Sequence, residues 1–150
     1  MIELRKNNST MEYEEAVMLM QIAQEARKNA YAPYSHFAVG AALLASDGSI
    51  YSGCNVENAA YSPGNCAERT AIFKAVSEGK RQFVSIAVVG AQEGMNPDGT
   101  SLCTPCGVCR QVLGEFCKAE EFRIYVTDGR KLYAYTLEEL LPLAFGAANL

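Results

Sequence analysis

The sequence predicts an α/β fold, a sheet covered by helices, from three features. Apolar runs alternate between helical and strand periods, a turn at Asp47-Gly48 joins two strand-like segments, and helix-start residues separate the later strands. Ser9 stands three residues before Glu12 in capping-box spacing, and Val17, Leu19, Ile22, Ala23 and Ala26 follow a helical period. A first helix is therefore expected from about Met11 to Asn29, ended by Pro33. The apolar run Phe37 to Ala45, the Asp47-Gly48 turn and Ser49 to Cys54 form a β-hairpin. Asn65 is the N-cap expected for a second helix, whose apolar face is Ala71, Ile72, Ala75 and Val76 and which Gly79 closes. Phe83 to Val89 has the pattern of a buried strand, and Gln92 to Ser101, with two glycines and a proline, is a loop. Thr104 and Pro105 supply an N-cap and a first helical residue for a third helix, marked by Val108, Val112, Leu113 and Phe116. Phe122 to Thr127 is a further strand, and Thr136 opens a short terminal helix through Leu141. The order is αββαβαβα, with no repeat, linker or low-complexity tract.

A chain of 150 residues that is 49% hydrophobic has enough apolar surface for one compact core, so residues 1–150 are expected to form a single domain. The apolar runs are too short to span a bilayer, and Met1 to Asn7 lacks the basic-then-apolar pattern of a signal peptide. A cytoplasmic location is the expectation. There, six cysteines are reduced thiols, and their spacing is read as metal or catalytic chemistry rather than as a disulfide framework. A net charge of −4 without a Lys/Arg cluster argues against a polynucleotide partner and favours a small-molecule substrate.

Cys106 and Cys109 are three residues apart at a helix start, which puts both sulfurs on one face and within reach of one ion. Cys66 opens the preceding helix in the string Cys66-Ala67-Glu68, so a third sulfur converges if the two helix starts are neighbours. Three protein ligands leave the fourth position of a tetrahedral zinc open, which separates a catalytic site from a closed structural one. Three thiolates outweigh the dication by one charge. The helix-start dipoles offset this by stabilising thiolate, and Arg69 is placed to donate hydrogen bonds to the sulfurs from outside the ligand set. Glu68, two residues past Cys66, reaches the open position without binding the metal and suits a proton shuttle. Competing readings exist for each part. Glu68 also fits the third residue of a capping box begun by Asn65, and Cys106 with Cys109 alone fits a structural zinc knuckle. The combination of Cys-x-Glu with Pro-Cys-x-x-Cys is the three-cysteine form of the known zinc-deaminase signature.

From about Ala32 to Phe145 the sequence resembles the small homotetrameric cytidine deaminases. Four strings carry the resemblance: Tyr34-Ser35-His36-Phe37-Ala38-Val39-Gly40-Ala41-Ala42, Gly53-Cys54-Asn55-Val56-Glu57-Asn58-Ala59, Cys66-Ala67-Glu68-Arg69-Thr70-Ala71, and Pro105-Cys106-Gly107-Val108-Cys109-Arg110-Gln111. The resemblance implies a three-layer α-β-α sandwich around a mixed, mainly five-stranded sheet. It implies one zinc ion per chain on Cys66, Cys106 and Cys109, with Glu68 as the acid/base group. It also implies hydrolysis of cytidine and deoxycytidine to uridine and deoxyuridine, with release of ammonia, in pyrimidine salvage. Substrate contacts fall on Phe37 as an aromatic wall, on Asn55 and Glu57 at the ribose and on Ala67, while Tyr61 and Phe145 correspond to positions that a neighbouring subunit contributes. Spacing independently puts Asn55 and Glu57 on one side of a strand end, where an amide and a carboxylate suit sugar hydroxyls and the carboxylate repels a phosphate. By default, however, Glu57 is a solvated residue and Phe37 a core residue.

The sequence departs from the family at Cys103 and in the approach to Pro105. Cys103 creates Cys-x-x-Cys-x-x-Cys, a spacing that also occurs at iron–sulfur clusters, although that reading leaves Glu68 and Arg69 without a role. Cys54 and Cys117 are expected to be inert core thiols, and His36 a structural hydrogen-bonding residue. Further readings are a deaminase for a modified cytosine nucleoside such as blasticidin S, a non-catalytic zinc module and a polynucleotide editor.

Overall fold

The structure, a computed structural model, describes residues 1–6 and 10–150. Its elements are β1 (Ile2–Leu4), α1 (Thr10–Arg27), β2 (Phe37–Ala45), β3 (Ile50–Cys54), α2 (Ala67–Ser77), β4 (Phe83–Gln92), α3 (Gly107–Phe116), β5 (Arg123–Thr127), β6 (Leu132–Thr136) and α4 (Leu137–Leu140), followed by a 3-10 turn at Ala147–Asn149. The strands form one sheet in the order β1-β6-β5-β4-β2-β3. Only β4 and β5 are parallel, and α3 makes the crossover between them.

Period-two alternation in the central strands sends successive side chains to opposite faces. Ala42, Ala87, Val89 and Tyr125 meet α1 through Ala16, Leu19 and Ala23. On the other face, Leu43, Ile86, Val88, Ile124 and Val126 pack with Ala71, Ile72, Leu113 and Leu137 of α2, α3 and α4. Each large aliphatic side chain so buried stabilises the fold by about 1.5–3 kcal/mol. The three layers agree with expectation, but the sheet has six strands rather than five. β1 escaped the sequence reading because it is three residues long, and β6 because Leu132-Tyr133-Ala134-Tyr135-Thr136 does not alternate apolar with polar residues.

Helix boundaries also differ from expectation, and the difference bears on the site. Cys66, not Asn65, caps α2, because the backbone N–H and C=O of Asn65 both pair with Val56 in an extended bridge. Cys106, not Thr104, caps α3, and Pro105 stays outside the helix with its carbonyl accepting from Arg110 Nε at 2.7 Å. The helix α1 ends at Arg27 rather than Asn29, and β4 continues to Gln92. At α4, Thr136 and Glu139 form a reciprocal capping box. The Ser9 cap lies outside the described residues. One contact sets the depth of α2: a Cβ at Gly53 would stand 2.4 Å from the Ala67 carbonyl oxygen and 2.6 Å from the Ala71 nitrogen. Helix and strand therefore meet backbone to backbone. No helix among the described residues is long and apolar enough to cross a membrane.

Candidate metal centre and active site

The N-termini of α2 and α3 converge, and each presents a cysteine at its cap. Neither Cys66 nor Cys106 uses its side chain to cap its helix. Their sulfurs instead approach each other at 3.9 Å, and Cys106 lies 3.5 Å from Cys109, one turn into α3. The three ligand atoms all fall within 4.8 Å of one another. A tetrahedral zinc with bonds of about 2.3 Å separates its sulfurs by about 3.8 Å, so the donor set and its spacing fit that ion. Cys103 does not belong to this group. Its sulfur enters the space over Gly90, where an added Cβ would stand 2.6 Å from it, and this disposes of a cluster built on Cys-x-x-Cys-x-x-Cys.

The electrostatics of the trio suit a bound dication. The Cys66 thiol is pulled down to about 5 by the hydrogen bond it accepts from Cys109, and by Arg69, against burial that pushes it up. Arg69 Nη2 donates to the Cys66 sulfur at 3.3 Å, the outer role expected of it. The Cys109 thiol is pushed up because it donates to Cys66 and because it is buried. Negative charge in the group is thus favoured on Cys66 over Cys109, and a bound dication would compensate further charge on sulfur.

Glu68 is 4% exposed, at the second position of α2. With Cys66 as cap, it is one residue short of the capping-box position, so the capping-box reading of this carboxylate fails. Burial pushes it up to about 7, and the Cys66 charge adds to the rise. Its proton is thus held near neutrality, the range in which one group both accepts and donates. Ala67 is fully buried with its methyl in the core, which confines any part in the site to its backbone.

Beside Cys66 opens a cavity of about 480 Å³, lined by Ser35, Asn55, Glu57, Tyr61, Cys66 and Arg69 among others. That size suits a small molecule. A larger hollow of about 700 Å³ under α1 has no cysteine in its lining. Asn55 and Glu57 do face one cavity, yet both are already engaged. Asn55 Nδ2 donates to the Phe37 carbonyl and its Oδ1 accepts from Val39 N–H, each at 2.8 Å. Glu57 accepts from the backbone N–H groups of Tyr34 and Ser35 at 3.0 Å and from the Ser35 hydroxyl. These bonds, the Ser35 hydroxyl foremost, hold its carboxyl below the usual range and keep it ionised. An amide and a carboxylate each retain spare valences for a ligand, so both residues are oriented before one arrives.

Phe37 is half-buried, with its ring edge beside Val39 and Cys103 over Gly90, and it stands outside the cavity lining, as does Glu68. A side chain at Gly90 would occupy the volume of that ring, since its Cβ would lie 2.8 Å from Phe37 Cε1. Tyr61 reaches the cavity, 77% exposed, in edge contact with Tyr34. Phe145, 61% exposed, stays away from it, with its carbonyl held by Gln111 Nε2 at 2.9 Å. His36 turns its ring toward Glu93 and takes no place among the sulfurs. Sequence reasoning assigned no role to Ser35 or to Arg110, which ties Pro105 to Leu140 beside the three converging thiols. The Tyr34-Ser35 string was visible, but its hydrogen-bond partner lies 22 residues away.

Comparison with known proteins agrees with this geometry. The chain is 50% identical over 133 residues to a cytidine deaminase of Sporosarcina psychrophila, covering 88% of this chain and 92% of that protein. A blasticidin-S deaminase of Bacillus cereus is 31% identical over 128 residues, covering 85% and 89%. The crystal structure of cytidine deaminase from Burkholderia pseudomallei superposes with a TM-score of 0.76 at 45% identity, over 86% of this chain and 98% of that one. A family model described as the cytidine and deoxycytidylate deaminase zinc-binding region matches residues 13–125, and the three thiols with their adjoining glutamate lie within it. Sequence, fold and donor set agree: this chain belongs to the cytidine and deoxycytidylate deaminase family.

Proposed function

We propose that this protein catalyses the hydrolytic deamination of cytidine and deoxycytidine to uridine and deoxyuridine, with release of ammonia. The observation that carries the reading is the convergence of three thiols at two helix starts, with a buried, proton-holding glutamate between them in sequence. A zinc ion on Cys66, Cys106 and Cys109 would supply a Lewis acid that makes a water molecule acidic at neutral pH. Glu68 takes the proton from the attacking water and passes it to N3 of the pyrimidine, which makes C4 electrophilic. After the water oxygen has added to C4, the same carboxylate takes the remaining proton from that oxygen and delivers it to the exocyclic nitrogen, and the C4–N bond breaks to release ammonia as the C4 carbonyl forms. One buried group serves both transfers because its affinity for a proton lies near the working pH.

Asn55 and Glu57 orient the sugar, and the negative charge of Glu57 disfavours a phosphorylated substrate. Phe37 is the wall beside the ring, and the backbone at Ala67 faces charge developing near C4. Arg69 keeps charge on the sulfurs in check. The exposed aromatic rings of Tyr61 and Phe145 support a homotetramer in which each completes a neighbour's site. One sheet with a core on each face supports a single domain over residues 1–150, and thiols that must stay reduced fit the cytoplasm. The likeness to a blasticidin-S deaminase gives a second reading, turnover of a modified cytosine nucleoside on the same machinery.

The test follows the ultraviolet absorbance of cytidine, with blasticidin S as competitor, in wild type and Glu68→Gln after each is shown to carry about one zinc per chain. The substitution is expected to lower kcat by roughly 10²–10⁴-fold. A variant that keeps most of the wild-type rate overturns the role of Glu68.

A further inference from the structure

Arg27 is 9% exposed, and among the described residues no carboxylate pairs with it. Its guanidinium donates instead to three backbone carbonyls: Nε to Ala38 at 2.8 Å, and Nη2 to Gln92 at 3.0 Å and to Met95 at 2.7 Å. A buried cation without a counter-charge is costly, and bulk alone at this position would be supplied more cheaply by an apolar side chain. The planar fork of arginine fits several fixed acceptors, which the single ammonium of lysine does not.

The acceptors share one neighbour. Ala38 follows Phe37 in β2, Gln92 is the register partner of Phe37 in β4, and Met95 lies in the turn beyond. From the β3 side, Asn55 holds the Phe37 carbonyl and the Val39 N–H. Consecutive carbonyls along a strand point to opposite edges, so Arg27 and Asn55 grip opposite edges of the segment that carries Phe37 and hold the Ala38–Val39 peptide between them.

We infer that Arg27 is a positioning residue which fixes the strand end bearing Phe37, and through it the plane against which the pyrimidine ring lies. The inference rests on the reading of Phe37 as that wall. Arg27 touches neither metal nor substrate, so its effect falls on binding rather than on proton transfer.

The test is a mutant cycle with Arg27→Lys and Arg27→Gln, each made in wild type and in Phe37→Ala. The readouts are KM and kcat for cytidine, zinc per chain, and the Kd of uridine by calorimetry, which needs no turnover. Arg27→Gln is expected to raise KM and the uridine Kd by roughly tenfold, with kcat within about twofold and zinc content unchanged. Arg27→Lys falls between the two and carries the cycle if Arg27→Gln does not fold. In the Phe37→Ala background the same substitutions are expected to cost less than about twofold, because the group they act through is gone. A folded Arg27 variant with wild-type KM and uridine affinity overturns the inference, and so does an undiminished penalty in the Phe37→Ala background. A wild type inert toward both nucleosides overturns the functional reading and this inference with it, whereas an active wild type with additive penalties overturns Arg27 alone.

Discussion

The six cysteines divide into two groups that share a side chain and differ in address. Cys66, Cys106 and Cys109 stand at the first turns of α2 and α3, where sulfurs meet one another and Arg69. Cys54, Cys103 and Cys117 stand at a strand end, in a loop and at the C-cap of α3. Burial pushes both Cys103 and Cys117 up to about 12, and it raises Cys54 as well. Burial also acts on Cys66, yet that thiol lies near 5, because hydrogen bonds from Cys109 and Arg69 outweigh it. Burial sets the charge where no donor stands near, and donors override it at Cys66. The helix α3 carries one member of each group, a thiol of the converging trio at its N-cap and a buried thiol at its C-cap.

Exchanging members of the two groups gives the sharpest contrast. Cys66→Ala is expected to drop zinc well below one per chain and deamination to background, whereas Cys117→Ala keeps both, as metal analysis and the absorbance assay would show. A zinc-replete Cys66→Ala protein would break the division. Next in size is thiol reactivity after chelation. At pH 7.5 Cys66 is largely thiolate, while a thiol near 12 remains protonated to well above pH 9, leaving on the order of one thiolate in 10³ at that pH. Alkylation mapped by mass spectrometry should mark Cys66 first and leave Cys103 and Cys117 unmodified; equal labelling would show that the donors do not govern the charge. The smallest effect falls on Arg69→Gln, expected to weaken zinc affinity by about 10–100-fold, as a competing chelator would measure.

What the sequence disclosed follows the reach of each interaction. The convergence of Cys66, Cys106 and Cys109 beside Glu68 was legible because their spacing is local to two helix starts, and the β2–β3 hairpin because Asp47-Gly48 announces it. Both of those helix caps were misplaced by one or two residues, since Asn65 and Thr104 are good capping residues taken up by other partners. The engagement of Asn55 with β2 and of Glu57 with Ser35 was not legible. Side-chain bonds to backbone across 16 to 22 residues leave no periodic trace. Arg27 was invisible for the same reason: a helical arginine reads as solvated until three distant carbonyls are seen around it.

Where α2 meets Gly53, the absence of a single methyl group decides how far Cys66 and Glu68 can descend toward α3. Contacts made by flexible side chains yield when a neighbour changes, but a helix resting on a bare strand has no such cushion. The placement of the acid and the first sulfur is consequently inherited from the sheet itself, and any group larger than hydrogen at this point would tilt the helix away from its partner and pull the metal corner open.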